Sequence, residues 1–393
     1  MKNILWIHVD GFRFDTKTIV ENYLGEELQG FNFLDTNFSR LDNCYTHALT
    51  TIYSFAGYMT GTLPSKNTSK NNDEGTVSKD IKWLGEILRS VGFKSKAVFT
   101  TGPQHDNNFL RLDIKDRAFD EIEFLHGTDY DGQVDAKKLA MQKFKEIVTT
   151  LNKSNNFFYY ITLLDMHGRD GRGLDGYIDE YSAAATRVNY FLKLILANVD
   201  FDKTIVVVHG DHGWKFDFDH SKYNAYCDFY GFCGYEPLSH VACYISSGLL
   251  GHHLNKCNII DIIPTILDIL NVEVDSEMFD GQSLIKYPND HVVHSYVKMP
   301  ISEQSFPPIV KYFTKETNDE QHFPLIPKSN MSILKNGYQL VLHSETFEYL
   351  ALFKYLDYSK SLLHDGFVDV EQFNSEVDLI KTYEAIYKGD RFR

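Results

Sequence analysis

TIVVVHGDHG, residues 204 to 213, runs β-branched apolar residues into an abrupt stop at Gly210 and then delivers Asp211 and His212 side by side. A strand covered on both faces of a parallel sheet reads as such a continuous apolar run, and ligands of open α/β sheets gather beyond the carboxyl ends of their strands. The stretch therefore predicts a buried strand ending in two potential metal ligands. A carboxylate oxygen beside an imidazole nitrogen suits zinc or manganese better than calcium. An Asp-His pair in a loop can equally be a turn with a surface histidine, so the neighbouring segments have to decide.

Three other segments repeat the pattern. NILWIHVDGFRFD (residues 3 to 15) ends an apolar run at Asp10-Gly11, which alone could be a plain turn, with Arg13 two residues on as either a source of positive charge or a structural ion pair. FFYYITLLDMHGRDG (157 to 171) runs into Asp165 and His167. In NCYTHALTTIYSFAGYMTGTLPS (43 to 65), Thr50 and Thr51 precede a helical stretch closed by Thr60-Gly61. A hydroxyl there can simply cap the helix. Alternatively it points at a metal, which lowers its pKa, while the helix dipole favours an anion at the same place. His220, eight residues past His212 in an aromatic loop, is a further candidate for binding a second ion or an anionic substrate, or for protonating a leaving group, although a lone histidine in such a loop can be plain polar surface. Independent surface residues would not fall repeatedly at one edge of a sheet.

Strand-length runs near 3–9, 95–99, 157–164 and 204–209 alternate with helical patterns at 81–91, 136–151, 177–197 and 259–270. That alternation predicts an α/β fold with a mostly parallel central sheet flanked by helices. After about residue 285 the character changes to isolated strands, HVVHSYV, YQLVLH and EYLALFKYL. We expect a catalytic domain over 1–285 and a small C-terminal α+β subdomain, 286–393, packed on it.

Composition narrows the function. With 393 residues and a formal net charge of −15, the chain lacks the clustered Lys and Arg that nucleic-acid backbones require. Positive charge for an anionic substrate must come from a metal or a few basic residues. Five cysteines without CxxC spacing argue for reduced thiols. Only Ile4 to Val9 precedes Asp10, too short for a signal segment, and no stretch reaches membrane-spanning length, so a cytoplasmic location is expected.

Taken in order, these segments resemble the alkaline phosphatase superfamily, in its sulfatase-like and nucleotide pyrophosphatase/phosphodiesterase-like branches, from Asp10 to about Leu284. DGFR (10 to 13) is similar to the first metal motif of the phosphodiesterase branch, and GDHG to the second metal motif. Counting back from Thr60-Gly61 places the family's nucleophile on Thr51, with Ser54 at the small polar site after it. LLDMHG resembles a segment of sulfatase-like transferases, and IIDIIPTILDIL and DGQSL (280 to 284) resemble the downstream helix and DGxSL turn of the sulfatase-like family. The resemblance implies one divalent ion, zinc or manganese, on Asp10, Thr51, Asp211 and His212. Asp165, His167 and His220 would hold a second ion or the substrate phosphate; His240, His291 and His294 are the candidates for the family's late histidine, and the aromatic residues from Tyr223 to Tyr235 would shape the substrate pocket. It also implies departures: sulfatases carry Cys or Ser followed by Pro and Arg for conversion to formylglycine, whereas Thr51 is followed by Ile52 and Tyr53, and Gly11 replaces the second aspartate of the usual pair. The expected activity is hydrolysis of a phosphate ester on a small molecule or glycan, a phosphodiester above all, through a phospho-threonine. The alternatives are transfer of a phosphoethanolamine-type substituent to a glycan, and an inactive binding homologue.

Overall fold

A computed structural model describes residues 1–67, 77–127, 134–167, 178–214, 216, 236–248, 250, 253–287, 293–297, 330–335, 338–343 and 349–354. In chain order, β1 (Asn3–Val9), β2 (Ser39–Tyr45), β3 (Lys94–Phe99), β4 (Glu121–Phe124), β5 (Phe157–Leu163), β6 (Thr204–Gly210), β7 (Cys243–Ile245) and β8 (His253–Asn258) form one sheet. Its order is β4-β3-β5-β1-β6-β7-β2-β8. The five strands from β4 to β6 are parallel to their neighbours; β7 runs antiparallel to β6 and β2, and β8 parallel to β2. The expected mostly parallel α/β sheet is present.

The apolar runs are continuous because both faces of the central strands are covered. Leu5, Ile7 and Val9 of β1 enter a core with residues of helices Ala136–Lys153 and Ile178–Leu196. Ile4 and Trp6 alternate into a second core with helices Thr51–Thr60 and Ile262–Ile269. Pleated backbone sends successive side chains to opposite faces, so burial on both leaves few polar positions. Those few stand out, and His8 is one of them.

Two expected helices differ at their starts. The helix expected from Ile81 begins at Leu84, where the Glu86 carboxylate accepts the Trp83 backbone N–H at 2.9 Å. The segment 259–270 opens with a 3₁₀ turn, Ile259–Asp261, before the helix Ile262–Ile269. The Asp261 carboxylate takes the Asn258 N–H at 2.7 Å and, on its other oxygen, the Gln282 N–H at 2.7 Å, fastening the DGQSL turn to the helix start.

A second, four-stranded antiparallel sheet lies in the C-terminal part, ordered β12-β11-β10-β9: β9 (Val293–Val297), β10 (Asn330–Lys335), β11 (Tyr338–His343) and β12 (Tyr349–Lys354). Three of these fall on the expected runs; β10 was not anticipated. Among the described residues, no helix is long and apolar enough to cross a membrane.

Candidate active site

The register of β1 on β6 pairs Val9 with Gly210, so the next residues, Asp10 and Asp211, leave neighbouring strands side by side. Both are buried, as is His212. Gly11 turns the chain away from β1 at φ +70 and donates its N–H to Asp211 Oδ1 at 3.2 Å. Gly210 is equally constrained, because a Cβ there would stand 2.4 Å from the Phe12 carbonyl oxygen.

Hydrogen bonds select one oxygen of each carboxylate. Asp211 Oδ1 also accepts the His212 N–H at 2.9 Å, while its Oδ2 is buried without a hydrogen-bond partner. Asp10 Oδ2 accepts the Thr51 hydroxyl at 3.1 Å, and Asp10 Oδ1 is likewise buried and unpartnered. His212 Nδ1 lies 2.9 Å from the Gly213 carbonyl, to which it donates, leaving Nε2 for the cluster. Nε2 stands 3.7 Å from Asp10 Oδ1, 3.6 Å from Asp211 Oδ2 and 3.5 Å from Thr51 Oγ1. Donors sharing one tetrahedral ion at bonds near 2.1 Å would be about 3.4 Å apart. Two orphaned carboxylate oxygens, an imidazole nitrogen and a hydroxyl at these separations fit a divalent cation. His8, Asp10 and Asp211 also each bring one potential ligand atom within 4.8 Å of the others, so His8 belongs to the cluster as well.

Charge follows the same logic. Burial pushes the Asp211 carboxyl up, but the His212 and His8 imidazoles and the Gly11 amide outweigh it and hold it well below the carboxylate range. Burial pushes His212 down, and the Asp211 and Asp10 charges outweigh that and raise it. Negative potential that draws a proton onto His212 also attracts a metal cation.

Thr51 is the first residue of its helix, half-buried, and the preceding Thr50 makes no side-chain cap bond, so the helix start is not held by a threonine hydroxyl in the capping manner. Ser54, one turn on, donates to the Asp211 backbone carbonyl at 2.9 Å and ties the helix to the end of β6.

The other candidates fall elsewhere. Asp165 is buried, and its carboxylate receives Arg187 Nε and the Ala136 N–H, each at 2.8 Å; it anchors two helices rather than joining the Asp10–Asp211 cluster. His167 is half-buried with its ring 6.3 Å from that of Trp214. Arg13 is the structural ion pair: its guanidinium binds Asp15 at 2.7 Å, donates to the Trp214 carbonyl at 2.8 Å and lies over the Phe216 ring. His240 is pinned between Glu236 and the Asp42 carbonyl and stacked by Phe14 and Tyr45. His220, His291 and the aromatic run Tyr223 to Tyr235 lie outside the described residues, and His294 is in β9. His8 escaped the sequence reading. Its one signal was a histidine in an apolar strand two positions before an aspartate, hence on the same face.

The sulfatase family model matches residues 2–272. The chain belongs to the sulfatase family. Its homologues there are hydrolytic enzymes acting on esters, and the family commonly uses a divalent metal. This sulfatase-family chain shares its fold with a 2-O GAG sulfatase (TM-score 0.64, 15% identity, 99% of this chain and 93% of that one). It is similar to the lipoteichoic acid synthase LtaP from Listeria monocytogenes (TM-score 0.63, 15% identity, 93% and 87%). It is also similar to an alkaline phosphatase superfamily protein from Vibrio parahaemolyticus (TM-score 0.59, 13% identity, 90% and 79%). No curated protein sequence matches the chain.

Proposed function

We propose that this sulfatase-family chain hydrolyses a phosphate ester, a phosphodiester in preference to a monoester, through a phospho-threonine at Thr51. The observation that carries the reading is the place of Thr51 Oγ1, at the start of a helix, 3.1 Å from Asp10 Oδ2 and 3.5 Å from His212 Nε2. A threonine cannot become formylglycine, which moves the chemistry from sulfate to phosphate.

Thr51 Oγ1 attacks phosphorus while the bond to the leaving alcohol breaks, and Asp10 Oδ2 holds the hydroxyl proton. Amides of the helix start favour the anionic phosphoryl group. Asp10, Thr51, Asp211 and His212 would hold a divalent ion, zinc by donor chemistry with manganese the alternative, which when bound would lower the hydroxyl pKa and offset charge on the phosphoryl oxygens. Water then cleaves the phospho-threonine and restores the hydroxyl. We assign to His167 and His220 the holding of the phosphate or protonation of the leaving oxygen. Engagement of both Asp165 oxygens by Arg187 and Ala136 favours one ion over two. The buried thiols of Cys44, Cys243 and Cys257, unlinked although Cys44 and Cys257 are cross-strand neighbours, support a cytoplasmic setting.

Transfer to a glycan hydroxyl shares the first half-reaction and is favoured by the LLDMHG segment; it differs only in the acceptor. The test is Thr51→Ala assayed with bis(p-nitrophenyl) phosphate, where kcat/KM falls at least about 10³-fold. Wild-type turnover by that variant rejects the reading. Acid quenching followed by mass spectrometry looks for the p-nitrophenyl phosphoryl group on Thr51, the ester that remains when one p-nitrophenol leaves, and added alcohols report transfer by diverting product.

A further inference from the structure

Beneath the Asp10–Asp211 pair lies a buried polar column that the proposed chemistry does not use. β1 and β6 set His8 opposite His209, with ring centroids 5.9 Å apart. His209 is fully engaged: Nε2 accepts from Trp6 Nε1 at 2.8 Å and Nδ1 donates to the Gly210 carbonyl at 2.8 Å. His8 is not. Its Nδ1 meets the Tyr160 hydroxyl at 3.1 Å, and that hydroxyl meets the Tyr58 hydroxyl at 2.8 Å. Its Nε2, buried and without an aligned hydrogen bond, lies 3.3 Å from Asp211 Oδ1.

His8 could therefore ligate the cation or hold a residue that does, and two observations choose between these. The first is the direction of the hydroxyl chain. If Nδ1 carried the proton, Tyr160 would donate to Tyr58, and the Tyr58 proton, fully buried, would have no acceptor among the described residues. The opposite direction, Tyr58 to Tyr160 to His8, gives both hydroxyl protons an acceptor and leaves an N–H on Nε2, 3.3 Å from Asp211 Oδ1. The second is which oxygen His8 approaches. Asp211 Oδ1 already accepts two backbone N–H groups, whereas the bare oxygen is Oδ2. An N–H suits the first position; a ligand's lone pair does not.

We propose that His8 is a positioning residue of the metal site, donating Nε2–H to Asp211 Oδ1 and held in that tautomer by Tyr160 and Tyr58, so that Asp211 Oδ2 is presented to the cation. The inference rests on the reading of Asp10, Asp211 and His212 as the ion's ligands. Partners of this kind commonly contribute about 10–100-fold to metal affinity.

The experiment has two readouts besides turnover. Long-range ¹H–¹⁵N spectra of the histidine-labelled, Zn²⁺-loaded protein, with His8 assigned by its loss in His8→Gln, are expected to show a proton on Nε2. A proton on Nδ1 with a zinc-bound Nε2 overturns the proposal. Competition titration with Zn²⁺ should give an affinity about 10–100-fold lower for His8→Leu, mostly recovered in His8→Gln, whose amide N–H can reach the same oxygen. Tyr160→Phe should fall between them and lose the tautomer preference. Unchanged zinc affinity in folded His8→Leu and Tyr160→Phe also overturns it. Should His8→Leu fail to fold, the Tyr160→Phe titration and the wild-type spectrum decide. Wild-type zinc uptake by Asp211→Asn would instead sink the metal-site reading, and the tautomer in the metal-free protein would then judge His8 by itself.

Discussion

Gly11→Ala probes the joint between the end of β1 and the proposed metal site. Gly11 sits at φ +70, and an added Cβ would stand 3.0 Å from the Met166 carbonyl oxygen. Left-handed backbone costs a side-chain-bearing residue about 1–2 kcal/mol. The carbonyl contact is backbone against backbone, so relief requires a local shift, adding about 1 kcal/mol by analogy with overpacked cores. Gly25 provides the matched control: it has φ +69 but nothing within 4 Å of its added Cβ. Urea unfolding should place Gly25→Ala about 1–2 kcal/mol below wild type and Gly11→Ala about 2–3 kcal/mol below. The Gly11 N–H to Asp211 bond, already 3.2 Å, is the first contact a shift would lengthen. Gly11→Ala should therefore also weaken Zn²⁺ binding about tenfold, the low end for a group that orients a ligand. Equal destabilisation by the two variants, together with wild-type zinc affinity in Gly11→Ala, would refute the reasoning.

Further outcomes follow from single contacts. Ser54→Ala removes a buried bond to the Asp211 carbonyl and should lower stability by about 1–2 kcal/mol, read from the urea midpoint. Asp165→Asn should destabilise the fold by about 2–3 kcal/mol while leaving zinc stoichiometry unchanged; loss of bound zinc would restore Asp165 as a ligand. For Glu146, burial works upward, but Lys96, Lys143 and the Tyr159 hydroxyl outweigh it and bring the carboxyl down to about 2. A depressed carboxyl stabilises fully above its unfolded value, and that contribution disappears as pH falls from about 4.5 to about 2. Glu146→Gln should flatten this acid limb in unfolding midpoints measured across that window, and an unaltered slope would count against the ion-pair network.

Legibility in the sequence tracked burial. β1, β5 and β6 could be read because a strand covered on both faces has few polar residues to interrupt it, and β3, KSKAVF, through its buried apolar end. β2, with SRLDNCY and a mixture of buried and half-buried positions, lacks that signal, and β7 spans only three residues. Asp10, Thr51, Asp211 and His212 were conspicuous because each breaks an apolar or helical pattern at an end, where side chains are free to converge. Asp165, just past β5, breaks one too, yet its carboxylate pairs with Arg187, 22 positions away in the helix Ile178–Leu196. Nothing local distinguishes a carboxylate that will meet a guanidinium from one that keeps a buried oxygen bare, as Asp10 and Asp211 do.

By itself, then, the sequence determined an α/β sheet with functional groups at its strand ends, because hydrophobic periodicity and the residues that interrupt it are local properties. Only the tertiary structure decided which groups meet. Placing β1 beside β6, with Val9 opposite Gly210, brought Asp10 to Asp211 and put His8 beneath them. Hydrogen bonds then chose which oxygen of each carboxylate stays bare, and those choices depend on strand order and register, which no short stretch of chain encodes.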